Sequence, residues 1–172
     1  MRSLIDRLVA ARIGRTTNFY RDGAGAALKR ERLAAYLEQR AGAPILLVGE
    51  APGYRGARIS GLPFTSERQL TGSGLAEATA TIVQRVLAEL GATESVLLWN
   101  IVPTHPGTET TNRAPSREEV IAGSAFAFEL ARGRRPIAVG RIAAETLGAP
   151  YVRHPSHGGA RAFADGLAAL IA

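Results

Sequence analysis

Short apolar runs alternate with amphipathic stretches along most of this chain. Ile45-Leu46-Leu47-Val48 predicts a first strand over 45–48, and a second run predicts a strand over 95–99. Shorter runs at 137–139 and 151–153 predict strands three and four. Elsewhere the apolar spacing is helical. Leu4, Leu8 and Ile13 stripe a first basic helix, and Leu33 and Leu37 stripe a second around 30–39. Ser66 with Gln69 fits a capping box that opens a segment firmly helical over 76–90, where Ile82, Val83, Val86, Leu87 and Leu90 share a face. Ser116 with Glu119 forms a second capping box for a helix running to about residue 131. Helices over 141–147 and 163–171 complete the pattern.

Strand–helix alternation with short apolar strands predicts an α/β fold, a three-layer α/β/α sandwich around a mostly parallel four-stranded sheet. Two irregular stretches, 51–65 and 103–115, interrupt it. Loops of that length in a compact domain are usually functional, and open α/β sheets hold ligands at the C-terminal ends of their strands. The length, 172 residues, suits a single domain over 1–172 with the basic helices of 1–43 packed on it.

Charge narrows the partner. The chain carries a net +6, with a pI near 10.7, and Lys29 is the only lysine among its 21 basic residues. Residues 1–40 hold most of the excess, and Arg132, Arg134 and Arg135 form a second group. That balance points to a phosphate backbone. With no cysteine, disulfides, zinc–thiolate sites and iron–sulfur clusters are excluded. His154 and His157 have ligand-like spacing, but Pro155 between them and the lack of further imidazoles beyond His105 argue against a metal site. No cofactor is expected. Apolar stretches fall short of a membrane span and the first residues lack a signal peptide's apolar centre, which predicts a soluble, cytoplasmic protein with no membrane contact.

Chemistry gathers at the predicted strand ends. Glu50 follows strand one, Asn100 follows strand two and His154 ends strand four. Such a set can activate a water, read the polar edge of a ring and hold a departing anion. A dinucleotide fingerprint is absent, and Ser156 beside His154 lacks a nucleophile elbow.

In order, the chain reads Gly49-Glu50-Ala51-Pro52-Gly53, Gly61-Leu62-Pro63-Phe64, Asn100-Ile101-Val102-Pro103, Asn112-Arg113-Ala114-Pro115 with Glu118 and Glu119, Val139-Gly140-Arg141 and His154-Pro155-Ser156. This series closely resembles the uracil-DNA glycosylase superfamily, nearest to the family-four type. It departs from that type in lacking the four cysteines of an iron–sulfur cluster, which implies a cluster-free relative whose loops are held by packing. The resemblance implies a monomeric repair enzyme that flips uracil out of single- or double-stranded DNA and hydrolyses its glycosidic bond. It implies Glu50 and His154 as catalytic residues: Glu50 acts on water beside the sugar and His154, supported by Ser156, donates to the base. Phe64 stacks on the base, Asn100 reads its edge, backbone groups from Ala51 onward assist, and Tyr54 fills the space a thymine methyl needs. Arg58, Arg113, His157, Gly158 and Arg161 are the implied DNA contacts, with His157 or Arg161 as the wedge beside the glycines. Two other readings stay open: a glycosylase for hypoxanthine or xanthine, and a non-catalytic nucleic-acid-binding module on the same fold.

Overall fold

The structure, a computed structural model, describes residues 2–171. Its elements run α1 (Arg2–Ala10), α2 (Ala26–Gln39), β1 (Ile45–Gly49), α3 (Ala57–Ser60), α4 (Glu67–Thr71), α5 (Ala78–Glu89), β2 (Val96–Asn100), α6 (Arg117–Ala131), β3 (Arg135–Val139), α7 (Arg141–Leu147), β4 (Tyr151–Val152) and α8 (Ala160–Ile171). The four strands pair in parallel in the order β2-β1-β3-β4. Parallel strands need crossovers, which place helices on both faces and bury the central strands on both sides. β1 and β2 are accordingly buried along their whole length.

Period-two alternation divides the core into two halves. Leu46, Val48, Leu97, Trp99 and Ala138 face one layer, where Leu4, Leu8, Leu33, Leu37, Phe126 and Ala143 pack. Ile45, Leu47, Leu98, Ile137 and Val139 face the other, against Val83, Val86 and Leu87 of α5 and Phe163 and Leu167 of α8. The α/β/α sandwich is as expected from the strand–helix alternation. Among the described residues no helix is long and apolar enough to cross a membrane.

Several boundaries move, for local reasons. Helix α1 stops at Ala10, and Ile13 is buried from the loop beyond it rather than from the helix. The buried amide of Asn18 ends the helix by donating to the carbonyls of Leu8 at 2.8 Å and Ala11 at 3.2 Å. The Ser66–Gln69 capping box opens only the short α4, not a helix continuous with α5. Gly72 and Gly74, both at positive φ, turn the chain between them, so that Glu77 becomes the residue preceding α5 instead of an interior position. Strand β4 ends at Val152, one residue early, and α8 starts three residues early at Ala160.

The long loops are tied by polar nodes. Glu119, almost wholly buried, accepts from the Arg113 guanidinium at 2.7 Å through both oxygens, from Ser116 N–H at 2.8 Å and from Arg15 N–H at 3.0 Å. One carboxylate thus joins the N-terminal segment, the 103–115 loop and the start of α6. Buried His105 places its ring nitrogens 2.8 Å from the carbonyls of Pro52 and Thr108, and its backbone bridges to Thr17. Buried Tyr20 donates its hydroxyl to Gly61 O at 2.8 Å.

The Arg113 guanidinium, with the two backbone donors, holds the Glu119 carboxyl down to about 2 from the ordinary 4.5. A depressed carboxyl contributes stability that is present above 4.5 and is lost as pH falls toward 2. Glu119→Gln should therefore cost about 2–3 kcal/mol near neutrality, the scale of hydrogen bonds to a charged group. Urea unfolding should show that gap closing as the pH is lowered from about 4.5 toward 2. A gap that stays constant over that range contradicts the ionic node.

Candidate active site

In this sheet the C-terminal strand ends lie side by side, and the residues leaving them are Asn100 on β2, Glu50 on β1, Gly140 on β3 and His154 beyond β4. Together with the 51–65 and 103–115 loops they enclose a cavity of about 670 Å³. Glu50, Ala51, Phe64, Asn100, Arg113, His154, Ser156 and His157 all line it.

Phe64 reaches the cavity over a residue that has no side chain. Gly49 pairs with Asn100 in register, and a Cβ on Gly49 would overlap the tip of the Phe64 ring and approach Asn100 Oδ1 to 3.0 Å. The missing side chain is what lets the tip of the ring and the amide oxygen both close in over Gly49. Phe64 itself has φ of 49°, an uncommon conformation for a bulky residue. Neighbouring hydrogen bonds hold it there: Gln84 donates to Phe64 O and to Thr65 Oγ1, each at 3.1 Å, and Ser60 donates to Thr65 O at 2.6 Å. Only one other described non-glycine residue has positive φ, His157 at 51°, and it lines the same cavity. Backbone strain of this kind gathers at functional sites.

Asn100 is only 4% exposed, yet its amide has no hydrogen-bond partner among the described residues. The amide opens onto the cavity, so its donor and acceptor are available to water or to a ligand there. His154 is better fixed. Its Nδ1 accepts from Ser156 N–H at 3.2 Å and lies 2.8 Å from Ser156 Oγ. A neutral ring with Nδ1 accepting carries its proton on Nε2, which is then a donor free to face the cavity. Burial, with the nearby His157 charge, lowers the His154 pKa from its usual 6.5, favouring that neutral ring. Glu50 is half-buried without a counter-charge, and this desolvation raises its carboxyl above the ordinary 4.5.

Other residues expected at the site lie elsewhere. Tyr54 does not line the cavity: its N–H donates to Asn112 Oδ1 at 2.9 Å, and its ring carries the Arg55 guanidinium 5.1 Å from the centroid. Arg58 is a loop tie outside the lining, donating to the carbonyls of Tyr54 at 3.2 Å and Glu109 at 3.1 Å. Arg113 reaches the cavity but is engaged by Glu119. Gly158 and Arg161 are outside it, and the Arg161 side chain, 94% exposed, stands 3.7 Å from Asp165.

Sequence reading also missed several lining residues, chiefly Glu77, Arg141 and Arg153. Glu77 was hidden inside an expected helix, although the Gly72-Ser73-Gly74 turn just before it signalled a break. Arg141 and Arg153 flank strand ends, and neither has an acidic partner among the described residues. No group of three or more metal-ligating side chains occurs among the described residues.

Comparison with known proteins adds to this geometry. A family model described as the uracil DNA glycosylase superfamily matches residues 38–167. No curated protein matches the sequence. The crystal structure of wild-type Pedobacter heparinus SMUG2 has a similar fold, with a TM-score of 0.69 at 13% identity, covering 98% of this chain and 96% of that one.

The contact across Gly49 can be tested directly. Gly49→Ala forces a methyl group into the Phe64 ring and should cost about 1–3 kcal/mol by overpacking. Denaturant unfolding measures it, and an Ala variant as stable as the parent means that Phe64 does not rest on Gly49.

Proposed function

The chain belongs to the uracil DNA glycosylase superfamily, and from that premise we propose that this DNA glycosylase excises uracil from DNA by flipping it into the cavity. The observation that carries the reading is Asn100, a residue only 4% exposed whose amide donor and acceptor open on the cavity, with the Phe64 ring close by across Gly49. Uracil's O4 accepts and its N3–H donates, the complement of that amide. Cytosine presents the reversed pair.

Each remaining residue then has a task. Phe64 stacks on the base. Glu50 takes a proton from a water whose oxygen bonds to C1′ as the bond from C1′ to N1 breaks. The electron pair leaves with the base and spreads onto O2, where His154 Nε2–H donates to it. A fixed, water-poor donor aimed at developing charge is among the largest catalytic terms. Because that donor is neutral, it stabilises the anion without having to be charged beforehand. Arg141 and Arg153, unpaired at the cavity rim, suit the flanking phosphates, and exposed His157 on its left-handed backbone suits the wedge that replaces the flipped base.

Incubation with labelled oligonucleotides, followed by alkaline cleavage at abasic sites, tests the reading. Uracil strands should be cut and cytosine strands left whole. Asn100→Asp, which replaces a donor by an acceptor opposite O4, should reduce uracil excision by about tenfold or more and narrow the gap to cytosine. An Asp variant with the parent's rate and selectivity removes Asn100 as the reader.

The pH dependence follows from the two shifted groups. Glu50 acts as carboxylate, and its raised pKa brings its loss of activity into the mildly acidic range. His154 acts as the neutral ring, and its lowered pKa keeps it neutral over most of that range. Both active forms are deprotonated, so excision should rise with pH through the acid range and level off near neutrality. Glu50→Gln should lower the plateau by about a hundredfold. A rate that peaks in acid and declines toward pH 7 contradicts these assignments.

A further inference from the structure

Outside the cavity's rim lies a second concavity that takes no part in the mechanism above. Of the large apolar side chains that stand well exposed among the described residues, only Tyr151, 49% exposed, lines the cavity. Tyr151 also lines an open recess of about 320 Å³ with Arg141, Ala144 and Glu145. Cavity and recess thus share Arg141 and Tyr151 as their common wall.

Local structure explains the recess. Along β4, Val152 turns into the core, while Tyr151 and Arg153 on either side of it point the other way and stay exposed. Helix α7, the crossover from β3 to β4, carries Arg141, Ala144 and Glu145 at positions i, i+3 and i+4, which share one face. Ala144, with a single methyl group, leaves a gap between that face and the tyrosine. Helix α7 begins at the C-terminal edge of the sheet and runs back from it, so Arg141 stands at the rim and Glu145 one turn further away. These two lie four residues apart, yet no ion pair joins them, and neither has another oppositely charged partner among the described residues.

A cation at one end, a carboxylate at the other and an aromatic face between them complement a nucleotide. Its phosphate is the anion, its base has a flat π-face, and cytosine, adenine and guanine carry amino hydrogens on the far edge. Bases stack on exposed aromatic side chains, and a carboxylate accepts from the cytosine amino group. Thymine offers only an N3–H between two carbonyl oxygens, which a carboxylate repels.

We propose that the recess is a subsite for the base next to the one being excised. That base stacks on Tyr151, the phosphate between the two nucleotides sits on Arg141, and its amino group donates to Glu145. The proposal rests on the glycosylase reading of the adjoining cavity. It makes excision depend on sequence, with an unpaired cytosine beside the target favoured over thymine.

Single-stranded oligonucleotides test this, each with one uracil and one varied neighbour. The neighbour is cytosine, thymine or a tetrahydrofuran spacer, which has no base and withstands alkali. It is varied on the 5′ side and then on the 3′ side, since the recess adjoins the cavity on one side only. On that side, kcat/KM with cytosine should exceed that with the spacer by about tenfold, the scale of one lost stacking contact. Thymine should fall between them. Tyr151→Ala should bring all three strands to one value, and Tyr151→Phe should keep the ratio of cytosine to spacer. Glu145→Ala should bring cytosine down to thymine. Comparing strands within each variant cancels any general loss of activity. Release that ignores the neighbour on both sides overturns the proposal and leaves the uracil reading standing. So does a cytosine-to-spacer ratio that survives Tyr151→Ala or is lost in Tyr151→Phe, or a cytosine-to-thymine ratio that survives Glu145→Ala. No release from any strand overturns the uracil reading, and the proposal falls with it.

Discussion

The parallel register of four short strands is the constraint on which the site depends. Parallel pairing sends every strand's carboxyl end to the same edge, so three residues spread over a hundred positions leave the sheet as neighbours. The strand order then sets the spacing between roles, with Asn100 on one outer strand, Glu50 beside it and His154 beyond the other outer strand. One residue in the central strand adds a finer condition. Gly49 must lack a side chain for the Phe64 ring and the Asn100 amide to come together over the sheet.

The loops above that edge have no covalent or thiolate cross-link, since the chain has no cysteine. Buried polar groups hold them instead. Glu119 gathers three segments on one carboxylate, His105 fastens the 51–65 loop to the 103–115 loop, and Tyr20 pins the N-terminal segment to Gly61. Each is fully enclosed, so an unmade bond there would carry its whole desolvation cost, which makes such nodes specific as well as stabilising. The basic N-terminal helices share the core with the sheet through Leu4, Leu8, Leu33 and Leu37, which gives these loops a firm base.

Much of this was legible in the sequence, and the failures have physical causes. Apolar runs with β-branched and leucine residues located the strands, and two capping boxes located helix starts, because those signals are local. The residues at strand ends were legible for the same reason: Glu50, Asn100 and His154 stand next to their strands. Tyr54 and Glu77 were not, because loop backbone decides them. A tyrosine four residues beyond Glu50 turns away once its N–H is taken by Asn112, and a glutamate counted into a helix turns inward once Gly72 and Gly74 break that helix. The arginines show the limit most clearly. Arg113 and Arg58 look like phosphate contacts in sequence but are spent on Glu119 and on loop carbonyls at 3.1–3.2 Å, whereas Arg141 and Arg153 line the cavity with no acidic partner among the described residues, Arg153 making one long contact to His157 O at 3.5 Å.

Carboxylates divide along the same line. In a chain rich in arginine, the structural ones take guanidinium partners: Glu67 with Arg32, Glu94 with Arg40, Glu119 with Arg113 and Glu129 with Arg7. Pairing lowers the pKa of Glu67 and Glu119 and fixes their charge. Glu50 and Glu77 sit in a cavity that Arg141 and Arg153 also line, and neither is paired. Both pKa values are pushed up instead of down. Carboxyl groups whose environments drive their pKa values apart are how one fold separates acid–base work from structural work. An arginine brought onto Glu50 would fix its charge and, on the proposed mechanism, weaken the base at once, so the unpaired state is the one that proposal requires. The surrounding positive charge serves the other need, since a net cationic surface draws a polyanion toward a cavity whose own carboxylates would repel it.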